Sequence, residues 1–558
     1  MRTRLVTTIC ICTVLAAACS SGSDDSASKN ALPAQFRNVV DLRGKAKGSY
    51  PEVDVAVKDN DFAPSAIRIN PGTTVRWENS GRSPHDIVPA DPNQDFGHEF
   101  GVSADKFEPG AAYEFKFVAP GVYRYYCALH GSKNVGMIGE VVVGDVDATS
   151  GERAVSGGQQ RNGTLRVPHD YSTIQAAVDA AKPGSLVLVS PGVYKEAVTV
   201  TSPNIVIRGL DRTGTVLDGG FVRDNGIKVL ANGVAVENMT ARDYTNNGFF
   251  WTGVLGYRGS YLDAIRNGDY GIYAFNSTYG QFDHDYGAGS PDAGFYIGQC
   301  YPCHAVISDS ISEWNGIGYS GTNAGGDLFV VRSIWRNNRV GIVPNSGTEE
   351  LNFPQHGITI AGNAVYGNNN AKTAAISIAQ LAIGTGILVA GGNDDVVQHN
   401  LVYDHDIVGI GVIPLPERVI NPDDAKAINF DARRNRVVAN VVRDSRAADL
   451  ALVTNLDNAK DSGANCFAGN RFSTSLPAHL EQLVPCAGTP SPAYETDLNR
   501  FVALLGADKP GGADYKKVVL PEPPRRPGMP DASRAPARPA GTGVPMAIDV
   551  NSIATPAG

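Results

Sequence analysis

The chain has 558 residues, with 48 Lys+Arg against 57 Asp+Glu and a formal charge of −9 at pH 7. No basic face follows from that balance, so nucleic acid is excluded as a partner. Gly reaches 62 with only 8 % aromatics, well above the roughly 7 % Gly of an average protein, which predicts many tight turns between short strands.

Arg2 and Arg4 precede an apolar stretch, Leu5 to Ala18, that ends in small residues. This is a secretory signal pattern over residues 1–18, too short to span a membrane. Ala16-Ala17-Ala18-Cys19, with Leu15 before it, resembles the bacterial lipobox, with Ala in place of Leu at the third residue before the cysteine. The resemblance implies cleavage before Cys19, lipidation of its thiol and anchoring to the cell membrane from outside the cytoplasm. Secretion with a spare cysteine is the alternative. Ser20 to Ser26 is polar and small, and residues 19–50 read as anchor and flexible tether.

Eight cysteines are present, of which Cys10 and Cys12 leave with the signal and Cys19 is used for lipid. The other five are Cys127, Cys300, Cys303, Cys466 and Cys486, an odd number for an oxidising compartment. Pairing Cys300 with Cys303 and Cys466 with Cys486 leaves Cys127 free for another task.

Residues 51–144 alternate in the manner of strands. Val53, Val55 and Val57 alternate, as do Tyr113, Phe115 and Phe117, then Tyr123, Tyr125 and Cys127. Pro-Gly turns at Pro71-Gly72, Pro109-Gly110 and Pro120-Gly121 separate them, as in a small β-sandwich. Within it, Ser83-Pro84-His85-Asp86 is followed by Cys127-Ala128-Leu129-His130 and then Met137. One thiolate, two imidazoles and a thioether form the ligand set of a blue-copper electron-transfer site. Cys127 is expected to end one strand, with His130 and Met137 on the loop into the next. These motifs resemble the plastocyanin-like cupredoxins. The resemblance implies one copper ion with His85, Cys127 and His130 as equatorial ligands and Met137 as the weak axial one, serving a redox partner or a copper donor or acceptor. The His130–Met137 segment is longer than in plastocyanin itself. His98 receives no role.

Residues 145–162 read as a linker, polar and Gly-rich. From there Gly followed by an apolar residue recurs at Gly226-Ile227, Gly248-Phe249, Gly271-Ile272, Gly294-Phe295, Gly316-Ile317 and Gly341-Ile342, then at Gly386-Ile387 and Gly409-Ile410. Spacing in the low twenties, with Asn246-Asn247, Asn267, Asn315, Asn337-Asn338 and Asn368-Asn369-Asn370 at corners, predicts a stacked β-solenoid over residues 163–490. Tyr171 to Ala181 predicts an amphipathic helix closed by Pro183-Gly184. A capping helix followed by strands resembles right-handed parallel β-helix proteins of the pectin-lyase-like fold. The fold class is therefore all-β: a cupredoxin sandwich followed by a β-helix with a short helical cap.

Two features of the β-helix bear on function. Phe250, Tyr273 and Tyr296 each lie one residue beyond the inward position and so should face outward. They form either a platform for sugar rings or a ladder packed under a loop or the cupredoxin domain. Asp283, His284 and Asp285 concentrate acid and base groups, loosely similar to the Asp/His motif of mannuronan epimerases. Asp404-His405-Asp406 repeats the triplet, and Asp263 lies at a similar offset from its own Gly. The tail, 491–558, is Pro-rich and expected to be extended or disordered from about residue 515. Two readings stand: an anchored one-electron or copper-handling protein whose β-helix docks a partner or polysaccharide, or a polysaccharide lyase or epimerase with an accessory copper domain.

Overall fold

The computed structural model describes residues 39–45, 51–146 apart from 93, 95, 97 and 98, 163–541 apart from 377, 421–426, 454–457 and 497–509, and 548–557. The signal segment, Cys19, His98 and most of the proposed linker lie outside the described residues.

Alternation builds the first domain. In β2 (Glu52–Lys58) and β5 (Thr73–Asn79) every second side chain is buried. These strands join β3 (Asp61–Ala63) and β7 (Ala112–Phe117) in a four-stranded sheet ordered β3-β2-β5-β7. The facing five-stranded sheet is ordered β1-β4-β9-β8-β6, from β1 (Val40–Asp41), β4 (Ala66–Ile69), β6 (Val88–Pro89), β8 (Gly121–Ser132) and β9 (Val135–Val143). Val55, Val75, Trp77, Phe115 and Tyr125 fill the space between. The Trp77 indole N–H donates to the Tyr125 hydroxyl at 2.9 Å, so both polar tips in this apolar core are satisfied.

The second domain is a parallel β-helix of three sheets, with twelve, ten and eleven strands among the described residues. Its inward column runs Ile227, Phe249, Ile272, Phe295, Tyr319, Ile342, Ile387, Ile410 and Leu450, each in register with the next. One sequence expectation is corrected here. Phe295 pairs with Tyr319, so the repeat glycine of that coil is Gly318; Ile317, two residues earlier, pairs with Ala293. The helix at Ile174–Ala180 covers the first coil with buried Ile174, Ala177 and Val178, and Thr173 caps it by accepting from the Ala176 N–H at 3.1 Å. Cys300–Cys303 and Cys466–Cys486 are bonded, and Cys127 is free and buried.

The corner asparagines stack. Asn315 donates its backbone and side-chain N–H groups to Asn338 Oδ1, and Asn338 does the same to Asn368. A second stack runs Asn363, Asn400, Asn440 and Asn470. Each amide satisfies backbone groups that a buried turn would otherwise orphan. A third stack has an acid in an asparagine's place: the Ile358 N–H donates to Asp395 at 2.9 Å, and the Asp395 N–H donates to Asn435 Oδ1 at 2.9 Å.

Burial pushes the Asp395 carboxyl up to about 7, against the hydrogen bonds it accepts. A raised carboxyl favours the protonated fold, so this contribution is complete below the unfolded value near 4 and is lost as pH rises through about 7. Asp395→Asn is therefore expected to stabilise the chain at pH 8 by up to about 4 kcal/mol and to change little at pH 4. Denaturant unfolding at the two pH values checks this; equal differences at both would contradict it.

Among its described residues the tail contains little regular structure but is laid along the β-helix. Arg208 donates to the carbonyls of Ala532, Ala535 and Pro536, Arg212 to Pro527 O, and Arg339 to Pro510 O and Gly511 O. Its described portions are extended and docked.

Candidate metal centre

The alternation of β8 turns Tyr123, Tyr125 and Cys127 inward. Strict alternation would send His130 outward, but the register of β8 against β9 shifts between Tyr126 and Gly131. This bulge re-aims the strand and brings His130 back into the interior. The expected ligand loop is thus corrected: His130 sits on the bulged strand itself, and Met137 on β9. Two glycines permit the tight hairpin. A Cβ on Gly131 would lie 2.7 Å from the Met137 nitrogen, and Gly136, at φ +85°, would place one 2.7 Å from the His130 carbonyl oxygen.

His85 arrives on a separate segment. Asn79, fully buried, donates its amide to the carbonyls of Ser83 and Phe107 and accepts from the Gly81 N–H, fixing the turn that leads to His85. Asp86 then accepts the Ala128 N–H at 2.6 Å and ties that segment to the bulge. Sequence reading missed both residues. Asp86 adjoins a ligand in the motif, but Asn79 carries no local signal.

The three donors converge. Cys127 Sγ lies 3.8 Å from His85 Nδ1 and 3.5 Å from His130 Nδ1, and the two Nδ1 atoms are 3.0 Å apart. The centre of such a triangle is about 2 Å from each corner, a metal–imidazole bond length. Burial pushes the His85 imidazole down to about 4, and holds His130 well below the usual histidine range with the help of His85 and Lys228. Both rings are therefore neutral, the form that ligates. Burial also pushes the Cys127 thiol up, so loading a metal releases its proton. Met137 is 1 % exposed and shares the core that holds Cys127. A soft thiolate with two imidazoles fits copper.

The His130 edge is covered by the β-helix. The Phe250 ring meets the His130 ring edge-on at 6.4 Å between centroids. Phe250 stacks on Tyr273 at 4.6 Å, and Tyr273 meets Tyr296 at 5.0 Å. Of the two arrangements expected for this column, the exposed platform is corrected in favour of the packed ladder: Phe250, Tyr273 and Tyr296 face outward from the coil but are at most 4 % exposed. The chain's own cupredoxin domain covers them, with the Asn60 amide donating to the Tyr273 hydroxyl. An ion-pair cluster closes the same interface. Arg82 contacts Asp59 at 3.0 Å, Glu350 at 3.2 Å and Glu349 at 3.4 Å, and Tyr296 bonds Glu350.

The second candidate site does not assemble in this way. Asp283 is spent on Ser260, Gln281 and His284, and Asp285 is buried and accepts the Leu262 N–H. Of the triplet only His284 is substantially open to solvent. In the repeated triplet His405 is buried against the Asn368 amide. Asp263 is paired with Arg212 and Arg526.

Residues 51–144 match the model of copper-binding proteins of the plastocyanin/azurin family. Plastocyanin of Scenedesmus fuscus is 36 % identical over 89 residues, 15 % of this chain and 85 % of that protein. Plastocyanin of Vicia faba is 30 % identical over 94 residues, 15 % of this chain and 86 % of that protein. The chain belongs, through this domain, to the plastocyanin/azurin family, and its cofactor is copper. Among solved structures, the A-module of an Azotobacter vinelandii mannuronan C-5 epimerase aligns at 14 % identity and a TM-score of 0.40, over 53 % of this chain and 90 % of that one.

Proposed function

We propose that the chain is an extracytoplasmic one-electron copper protein, anchored by lipid on Cys19, in which Met137 completes the ligand set of His85, Cys127 and His130. The observation that carries this reading is the convergence of one thiol and two imidazoles, all buried, on one point. A buried, preshaped donor set changes little between oxidation states and suits electron transfer with a redox partner. The bonded pairs Cys300–Cys303 and Cys466–Cys486 agree with an oxidising compartment.

The β-helix serves as a scaffold that holds the copper domain against its side. Because its aromatic column is used internally, a redox partner or polysaccharide must dock elsewhere on the solenoid. The catalytic reading loses support, because Asp283 is committed to Ser260, Gln281 and His284, and Asp285 is buried away from solvent. A spectroelectrochemical titration of copper-loaded protein should be reversible and take up one electron per chain. No reversible uptake, or turnover of a uronate polymer that Asp283→Asn abolishes, would overturn this assignment.

A further inference from the structure

The outward column that begins the interface starts one coil before its aromatics. Lys228 pairs in register with Phe250, Phe250 with Tyr273, and Tyr273 with Tyr296. Lys228 thus stands in the same outward column, against the copper hairpin. Its side chain is 6 % exposed, and Nζ donates to the carbonyls of Ala128 at 2.7 Å and Gly131 at 3.3 Å. These carbonyls flank His130 within the bulge that aims it. A lysine is almost never buried without a partner, and here the partners are backbone groups of the ligand segment.

Resting on the copper reading above, we infer that Lys228 is a positioning residue of the copper centre, supplied by the β-helix, which holds the Cys127–His130 bulge and raises the copper's reduction potential. Reduction lowers the charge of the centre by one, so a nearby fixed cation favours the reduced state. Nζ bonds the carbonyls of the residues that adjoin Cys127 and His130, and in a protein interior nearby unit charges interact well above the thermal energy. The bulge is pinned from both sides, because Asp86 accepts the Ala128 N–H while Lys228 donates to the Ala128 carbonyl. Burial lowers the lysine's proton affinity, and Asp224, Cys127 and Asp86 oppose that loss. Leu230, two residues along the same strand run, approaches Gly136 beside Met137, so the contact spans both strands of the hairpin. The β-helix is therefore part of the copper site's surroundings and sets its redox behaviour.

The test uses the full chain loaded with copper, comparing wild type with Lys228→Met, Lys228→Gln and Lys228→Arg. The visible band is followed during a redox titration. At a fixed applied potential the Cu(I):Cu(II) ratio should fall about tenfold in the Met and Gln variants, equivalent to about 59 mV for one electron. The Arg variant should stay within about twofold of wild type. Gln retains a donor without the charge, so it carries the test if Met misfolds. An unchanged or higher ratio in a neutral variant that keeps its band overturns the inference. So does loss of the band in both neutral variants, which would make Lys228 a folding residue only. A wild-type protein without the band contradicts the copper reading itself, a result distinct from either.

Discussion

Cys127→Ser is expected to remove the intense visible band of the copper-loaded protein completely. That band arises from charge transfer between thiolate and metal, and a serine hydroxyl offers no comparable donor orbital. Copper affinity should fall as well, because His85 and His130 then face the ion with a hard, protonated oxygen in place of a soft thiolate. The fold should survive, since the substitution exchanges one small buried group for another in a core built by Trp77, Phe115 and Tyr125. Met137→Leu should behave differently, keeping the band but raising the potential, as expected when a weak axial donor is lost. Absorption spectra of the two variants at equal copper content separate these roles. A band that persists in Cys127→Ser would remove Cys127 from the site.

Phe250→Ala combined with Tyr273→Ala is expected to loosen the two domains without unfolding the solenoid. Both rings are buried against the cupredoxin domain. Each truncation should cost about 3–5 kcal/mol where the site cannot collapse. The inward column of Ile227, Phe249, Ile272 and Phe295 is untouched, so the coils should keep their stacking. Calorimetry should show the copper domain melting earlier and apart from the β-helix, with the visible band altered as water reaches His130. A single cooperative transition at the wild-type temperature would mean that the ion pairs of Arg82 alone hold the interface.

Much of this molecule was legible from residue order. Cys127 and His130 lie three residues apart on one strand, and His85 stands in a short motif, so the three donors that converge needed no long-range information. The β-helix announced itself through glycines about one coil apart. What could not be read was the consequence of bringing two domains together. The outward direction of Phe250, Tyr273 and Tyr296 follows from period two, yet their burial depends on what lies opposite, which no local pattern encodes. Lys228 stands in the same column, and nothing in its neighbouring residues marks it. One clue to the interface was present. The repeat skips from Ile342 to Ile387, and the coil between them carries the excursion with Thr348, Glu349 and Glu350 that meets Lys58 and Arg82. The misread glycine at Gly316 has a similar origin: Gly316-Ile317 and Gly318-Tyr319 both fit a Gly-apolar repeat, and only the pairing of Phe295 with Tyr319 chooses between them. The bulge in β8 was hidden because a Cys-x-x-His spacing suits a loop as well as a bulged strand.

The most direct measurement is a copper titration of the purified full chain, followed by visible absorption and by metal analysis after removal of unbound ion. The account predicts saturation at one copper per chain, with the thiolate-to-copper band growing in proportion to bound Cu(II) until that point. A protein that binds Cu(II) tightly at one equivalent and remains colourless would contradict it, because the Cys127 thiolate would then not be a ligand.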